Sequence, residues 1–337
     1  MYRLRAKGEY KMLKKRILVL TLLAAASACG DDSSSTGPDA CAGHLQCGDG
    51  PKITDPEGGN ILFEYIWFDT ELQAAFQLPA GVTSVNRVIG YFMNSHTPNA
   101  NPLPTAGACN NLETTRGWPL YVGNPHEDLD VGTFTITGKN MAGTDVSIDV
   151  PKKPMGLDNI GRPHNTFYEI IQPDASKFIK PDSAYTVKFG GNGSIPATTF
   201  DNNIFLAQDF AVNMPMIEGN GPLVAGTDFN VKWTPATSAN LPAGDEVLGV
   251  TWLVDTNGKP THICPAAHTA GQFTIPGAAI TEYKAVATAR GTNPNKVILL
   301  RNAIVHKLAR LPNGDKANAR RIDMLSVMCY AQLMNVN

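Results

Sequence analysis

The segment NPHEDLDVG contains four side chains that can bind a metal ion within five consecutive positions. They are His126, Glu127, Asp128 and Asp130. Carboxylate oxygens on a loop suit calcium, which takes about six to eight oxygen ligands. The segment lacks the spaced Asp-x-Asp-x-Asp-Gly pattern of a calcium-binding loop, and a polar turn before the next strand explains the same residues. The sequence therefore leaves two interpretations, a calcium site and, in preference, a solvated turn that binds no cofactor.

A second candidate metal site lies in THICPAAH, where His262, Cys264 and His268 are close in sequence. A Cys followed a few residues later by a His resembles the copper loop of the cupredoxins, and that resemblance implies copper binding by these three residues. The cupredoxin loop also carries a Met shortly after this His, whereas HTAGQFTIP contains none. The favoured alternative is a disulfide at Cys264 flanked by two histidines on the surface.

Motifs that would identify an enzyme are missing from the sequence. It contains no Gly-x-Ser-x-Gly, Ser-x-x-Lys, His-Glu-x-x-His, Walker, Cys-x-x-Cys or dinucleotide-binding Gly pattern. Glycosidases need only two carboxylates that the fold brings together, which spacing along the chain does not reveal. The sequence therefore favours a protein without a catalytic site, and a hydrolase acting on a glycan or another polymer is the alternative.

The N-terminal region has the layout of a secretory signal, because a basic stretch at 14–16 precedes the mostly apolar residues 17–28. A helix over that apolar stretch would be about 18 Å long, too short for a bilayer core of about 30 Å. The small residues Ala26-Ser27-Ala28 before Cys29 resemble the lipobox of bacterial lipoproteins. That resemblance implies a signal peptide over residues 1–28, acylation of Cys29 and a membrane anchor. Gly30, in place of the Asp that retains such proteins in the inner membrane, implies the outer membrane.

Five further cysteines would meet oxidising conditions in an exported protein: Cys41, Cys47, Cys109, Cys264 and Cys329. Cys264 and Cys329 fall on predicted strands of one unit, so their pairing is the first expectation. Cys41–Cys47 is the second, which leaves Cys109 free or competing for a partner. Spacing alone does not decide the connectivity.

Charge is distributed unevenly along the chain. Removal of residues 1–28 takes away seven of the 28 basic residues and one of the 30 acidic residues, which leaves a net charge of −8. The segment 284–321 nevertheless holds nine basic residues and one acid. These basic residues are spread out with few aromatic residues between them, so a solvated strand face is favoured and no nucleic-acid partner is expected.

The pattern of short apolar runs separated by Gly, Pro and Asn predicts an all-β fold with two tandem β-sandwich domains. Residues 29–59 are rich in Gly, Asp, Ser and Pro and are predicted to form a disordered tether. The first domain is predicted over 60–213. The second, over 214–337, resembles an immunoglobulin-type sandwich in its strand rhythm and tryptophans.

Strict alternation predicts which side chains face the core. Examples are SAYTVKFGG (183–191), TDFNVKWTP (227–235) and EVLGVTWLVD (246–255). The segment 295–311 fits a helix face as well as a strand, but Pro312-Asn313-Gly314-Asp315 indicates a hairpin turn, so a strand pair is preferred.

These features predict a lipid-anchored cell-envelope protein with a non-catalytic binding or structural role. Its partner would be an envelope protein or a glycan, contacted through loops at the ends of the sandwiches. Asn94–Pro98 and Gly117–His126 are the candidate contact loops.

Overall fold

The computed structural model describes residues 58–75, 79, 81–93, 107–112, 129–157, 163–192, 195–207, 221–235, 240–243, 247–311 and 320–337. The predicted signal peptide, Cys29, Cys41 and Cys47 lie outside these residues, as do both predicted contact loops. Strands make up most of the described chain, which confirms the predicted all-β class.

Fifteen strands are present in the described residues: β1 Gly58–Phe68, β2 Ser84–Met93, β3 Asn110–Asn111, β4 Phe134–Lys139, β5 Asp145–Asp149, β6 Lys152–Leu157, β7 Pro163–Pro173, β8 Ser183–Phe189, β9 Thr198–Leu206, β10 Phe229–Lys232, β11 Leu248–Val254, β12 Pro260–Ala267, β13 Gln272–Ile275, β14 Lys296–Leu311 and β15 Arg320–Asn335. They form a nine-stranded sheet in the order β3-β12-β11-β14-β15-β1-β2-β7-β6, a four-stranded sheet in the order β5-β4-β8-β9, and the pair β10-β13. Two α-helices accompany them, α1 Thr70–Ala75 and α2 Gly277–Ala289.

The faces predicted from alternation are confirmed. Tyr185, Val187 and Phe189 of β8 are buried, and Thr186 and Lys188 between them are more exposed. The segment 295–311 is a strand from Lys296 onward, and this strand, β14, pairs antiparallel with β15 from Lys296↔Asn335 to Leu311↔Arg320. Period-two burial therefore identified the buried face of β8, because a strand with one face on the core alternates its side chains between core and solvent.

The first and last strands of the described chain lie side by side. β1 pairs in parallel with β15, from Gly58↔Arg321 to Phe68↔Ala331, and antiparallel with β2 on its other edge. Strands from both sides of the predicted domain boundary at 213/214 consequently share the nine-stranded sheet. Alternation shows which face of a strand is buried but does not identify its neighbour, so this long-range pairing was not predicted.

The two faces of the nine-stranded sheet carry separate apolar clusters. One face packs against the four-stranded sheet, and the contact includes edge-to-face aromatic pairs of Phe92 with Phe134 and with Phe189. The opposite face carries a second cluster that includes Leu62, Trp252 and Val327. Side chains of both faces are removed from solvent, as expected for central strands with continuous apolar runs.

Helix α2 is an element that the sequence analysis did not predict. It begins after Pro276, buries Ile280, Tyr283 and Ala287, and packs against β12 and β3. The helix ends at Ala289, and Gly291, two positions later, has a positive φ of 68°, which suits the end of a helix. Neither helix in the described part of the chain has the length and hydropathy needed to cross a bilayer.

Candidate functional site

A disulfide joins Cys109 and Cys264, with 4.2 Å between their Cα atoms, so the predicted pairing of Cys264 with Cys329 is wrong. Cys109 directly precedes β3, which pairs with β12 at the sheet edge and brings Cys109 beside Cys264. Cys329 is a buried free thiol on the opposite face of the sheet, with β11 and β14 between its strand and β12. Burial, and then the nearby Glu64 carboxyl, raise the pKa of this thiol well above its usual range.

The copper interpretation of THICPAAH is also wrong, because the sulfur of Cys264 is bonded to Cys109 and cannot be a thiolate ligand. His262 lies with Nε2 3.3 Å from Glu282 Oε2 and Nδ1 3.0 Å from Thr261 Oγ1. His268 is stacked with Trp233, and burial together with the nearby Arg301 charge lowers its pKa to about 4. Both histidines therefore contribute to packing of the interior.

Asp130 is not free to bind calcium, because hydrogen-bond donors occupy both of its oxygens. Oδ1 accepts from the Gly132 N–H and the Tyr168 hydroxyl, and Oδ2 accepts from Lys152 Nζ and Asn192 Nδ2, all within 2.5–2.8 Å. Burial opposes the charged form, but these four donors lower the pKa of Asp130 below its usual range. The other three predicted ligands, His126, Glu127 and Asp128, lie outside the described residues. The described residues contain no cluster of three or more potential metal ligands.

A group of charged side chains lies within the apolar face opposite the four-stranded sheet. Arg87 donates hydrogen bonds from Nε and Nη2 to Glu169 Oε1, at 3.3 and 3.0 Å. Glu64 approaches the same guanidinium only to 3.8 Å, and within the described chain neither of its oxygens has a hydrogen-bond partner. Because Glu64 is fully buried, desolvation outweighs the attraction of Arg87 and raises its pKa to about 8. At neutral pH the Glu64 carboxyl is therefore mostly protonated.

Two carboxyl groups beside one arginine, one of them held in the protonated form by burial, resemble the pair that glycosidases use. Here, however, Glu64 is 0% exposed and Arg87 is 2% exposed, although Glu169 is 16% exposed. A catalytic acid must contact its substrate, and Glu64 has no exposed surface that a polymer could reach. The position of Glu64 thus favours a structural role for this cluster.

Arg301 is another fully buried charge, on the face that meets the four-stranded sheet. Its guanidinium carbon lies 3.6 Å from the centre of the Trp233 ring, and none of its nitrogens has a hydrogen-bond partner among the described residues. Burial lowers the pKa of Arg301 to about 9. Gly249 makes room for the group, because a Cβ there would lie 2.1 Å from Arg301 Nη2. The packing is closed, so cation–π contact and shape account for this site.

An open groove of about 770 Å³ lies on the outer face of the four-stranded sheet and is the candidate binding site. Its centre is a row of hydroxyls on three adjacent strands, since Thr137 of β4 is directly opposite Ser147 of β5 and Thr186 of β8. Neighbouring strands are about 4.8 Å apart, so the row presents hydroxyls at regular intervals. Val146 and Ala184 add apolar surface to the lining.

Two residues with left-handed backbone conformation border the groove, Asp182 with φ 55° and Asn202 with φ 55°. Asn and Asp tolerate this region better than other side chains that carry a Cβ. The Asn202 N–H donates to Thr186 Oγ1 at 3.3 Å, next to a register shift between β8 and β9. Asn240 Nδ2 donates to Asp182 Oδ2 at 2.9 Å. These contacts hold side chains of the groove in place.

None of the groove residues was predicted as a site. The available signal was the set of polar outward positions in GTFTITG, DVSIDV and SAYTVKFGG, which also fits an ordinary solvated strand. Only the register places the three hydroxyls in one row.

No protein-family model matches this chain, and no curated protein is significantly similar to it. The residues of the groove itself are therefore the evidence for its function.

Proposed function

We propose that this chain is a lipid-anchored protein of the cell envelope with a non-catalytic binding role, exercised through the groove on the four-stranded sheet. The open polar groove carries the proposal of binding. The residues around Cys29 carry the proposal of an anchor, and Gly30 favours the outer membrane.

The disulfide between Cys109 and Cys264 supports export. Disulfides persist outside the cytoplasm, where thiols are not kept reduced. This bond links residues 155 positions apart and fastens the short edge strand β3 to β12. This bond would form under the oxidising conditions outside the cytoplasm, which agrees with a signal peptide over 1–28.

Three acyl chains on Cys29 would hold the protein at the membrane, because each buried methylene contributes about 0.8 kcal/mol to partitioning. The polar residues 30–57 would then separate the sheets from the bilayer surface. The groove would remain accessible to molecules of the envelope.

A hydrolase remains the second candidate. The pairing of Glu64 and Glu169 on Arg87 is the observation in its favour, and the burial of Glu64 weighs against it. Incubation of the folded chain with polymeric glycans, followed by measurement of new reducing ends, distinguishes the two candidates.

The anchor is tested by mass spectrometry of the mature N-terminus from cells. We expect a chain that starts at Cys29 and carries acyl groups, and we expect Cys29→Ser to abolish both the cleavage and the lipid. Cys41→Ser is the matched control, since it removes a thiol 12 positions further along and should leave the acylated N-terminus intact. An unmodified first residue, or a first residue other than Cys29, would overturn the anchoring proposal.

A further inference from the structure

We infer that the ligand of the groove is a neutral oligosaccharide, an inference that rests on the proposed binding function. Hydroxyl, amide, carboxylate and ammonium groups line the groove together with Val146, Ala184 and the buried Phe205. Sugars present the matching chemistry, because their hydroxyls both donate and accept hydrogen bonds and their ring faces carry C–H groups.

The hydroxyl row supplies the central contacts. Ser147 is exposed, and Thr137 and Thr186 are half-buried, so their side chains are accessible while their backbones are held by neighbouring strands. Each hydroxyl can donate one hydrogen bond and accept others. Because the hydroxyls are already held in position, binding a ligand costs less conformational entropy.

Of the three charged side chains at the groove, two compensate each other, and the Asp182 carboxylate has only a neutral amide as its partner. Lys139 Nζ lies 2.7 Å from Asp145 Oδ1, directly across β4 and β5, and Asp182 accepts from Asn240. An anionic ligand would have to compete with Asp145 for Lys139, and a cationic ligand would have to compete with Lys139 for Asp145 or with Asn240 for Asp182. A neutral ligand can instead accept from or donate to these groups without disturbing the pair.

The lining also argues against an apolar peptide. The exposed large apolar side chains among the described residues are Met141 and Val224, and neither lines the groove. The small apolar residues Val146 and Ala184 offer a shallow surface that suits a sugar ring better than a bulky side chain. The groove lies on the face of the sheet, whereas an extended peptide that adds a strand would need the free backbone of an edge.

The experiment uses the mature, acylated chain in a sugar-free detergent. An array of neutral oligosaccharides built from glucose, galactose, mannose and N-acetylhexosamines identifies binders, and calorimetric titration measures their affinity. We expect Thr137→Val and Ser147→Ala each to weaken binding about fivefold to tenfold, the effect of losing one hydrogen bond.

Thr135→Val is the matched control. Thr135 is an outward threonine of the same strand, but its hydroxyl donates to Asp149 and does not line the groove. Its substitution should leave the affinity unchanged, and circular dichroism checks that all three variants fold.

Absence of any saccharide binding by the folded chain would overturn the inference. Binding that Thr137→Val and Ser147→Ala leave unaltered would place the sugar elsewhere and would overturn it too, as would preference for a peptide or an anion. Acylation at Cys29 is read from the same preparation, so an acylated chain that ignores sugars refutes the ligand class and leaves the anchor standing.

Discussion

Replacement of Glu64 by glutamine tests whether a protonated carboxyl lies at the centre of the nine-stranded sheet. Gln has nearly the shape of a protonated Glu and cannot ionise. Arg87 keeps its two hydrogen bonds to Glu169 in this variant. The substitution therefore removes the titration of Glu64 while changing the packing little.

The sign and the size of the effect follow from the pKa of Glu64, which burial raises from 4.5 to about 8. Below pH 4.5 the carboxyl is protonated in both the folded and the unfolded chain, and its contribution to stability is complete. As the pH rises from 4.5 to 8 the unfolded chain releases the proton and the folded chain retains it, so stability is lost. The pKa difference corresponds to a loss of about 3 kcal/mol between pH 5 and pH 8.

Urea unfolding of wild type and Glu64→Gln, measured at pH 5 and pH 8, provides the assay. We expect the two proteins to agree within about 1 kcal/mol at pH 5 and the variant to be more stable by about 3 kcal/mol at pH 8. Glu282→Gln, at a more exposed carboxyl, should show no such gain. If Glu64→Gln were destabilised equally at both pH values, Glu64 would be an ionised partner of Arg87 and our reasoning would be refuted.

Three further predictions concern stability. Joint replacement of Cys109 and Cys264 by serine should lower the free energy of unfolding by about 2 to 4 kcal/mol, and reductant should have the same effect on wild type but none on the variant. Asp130→Asn should cost about 1 to 3 kcal/mol at pH 7, because Asp130 accepts four hydrogen bonds. That cost should shrink in urea titrations below about pH 4, since a carboxyl with a lowered pKa stabilises the fold only while it is ionised. Gly249→Ala should lower the free energy of unfolding by about 2 kcal/mol or more, because its methyl would lie 2.1 Å from Arg301 Nη2; a melting temperature equal to that of wild type would contradict this packing.

The sequence by itself determined the class of structure and the faces of its strands. In β8, polar and apolar residues alternate with the period of an extended chain, so the buried side follows from the local order of residues. The hairpin strands β14 and β15 carry continuous apolar runs instead. Their hairpin could nevertheless be predicted from the sequence, because a turn-forming sequence lies between the two strands. Helix α2 was missed, since only two of its buried residues, Ile280 and Tyr283, are large, and the others are glycine or alanine.

The tertiary structure alone decided which strands are neighbours. The parallel pairing of β1 with β15 joins segments more than 200 residues apart, and no local signal specifies it. The same pairing order separates Cys329 from Cys264 and places Cys109 beside Cys264 instead. Register likewise aligns Thr137, Ser147 and Thr186, residues that are ordinary solvated positions when each strand is considered alone. The physical reason is that a side chain's face depends on its own strand, whereas a site depends on hydrogen bonds between strands that are distant in sequence.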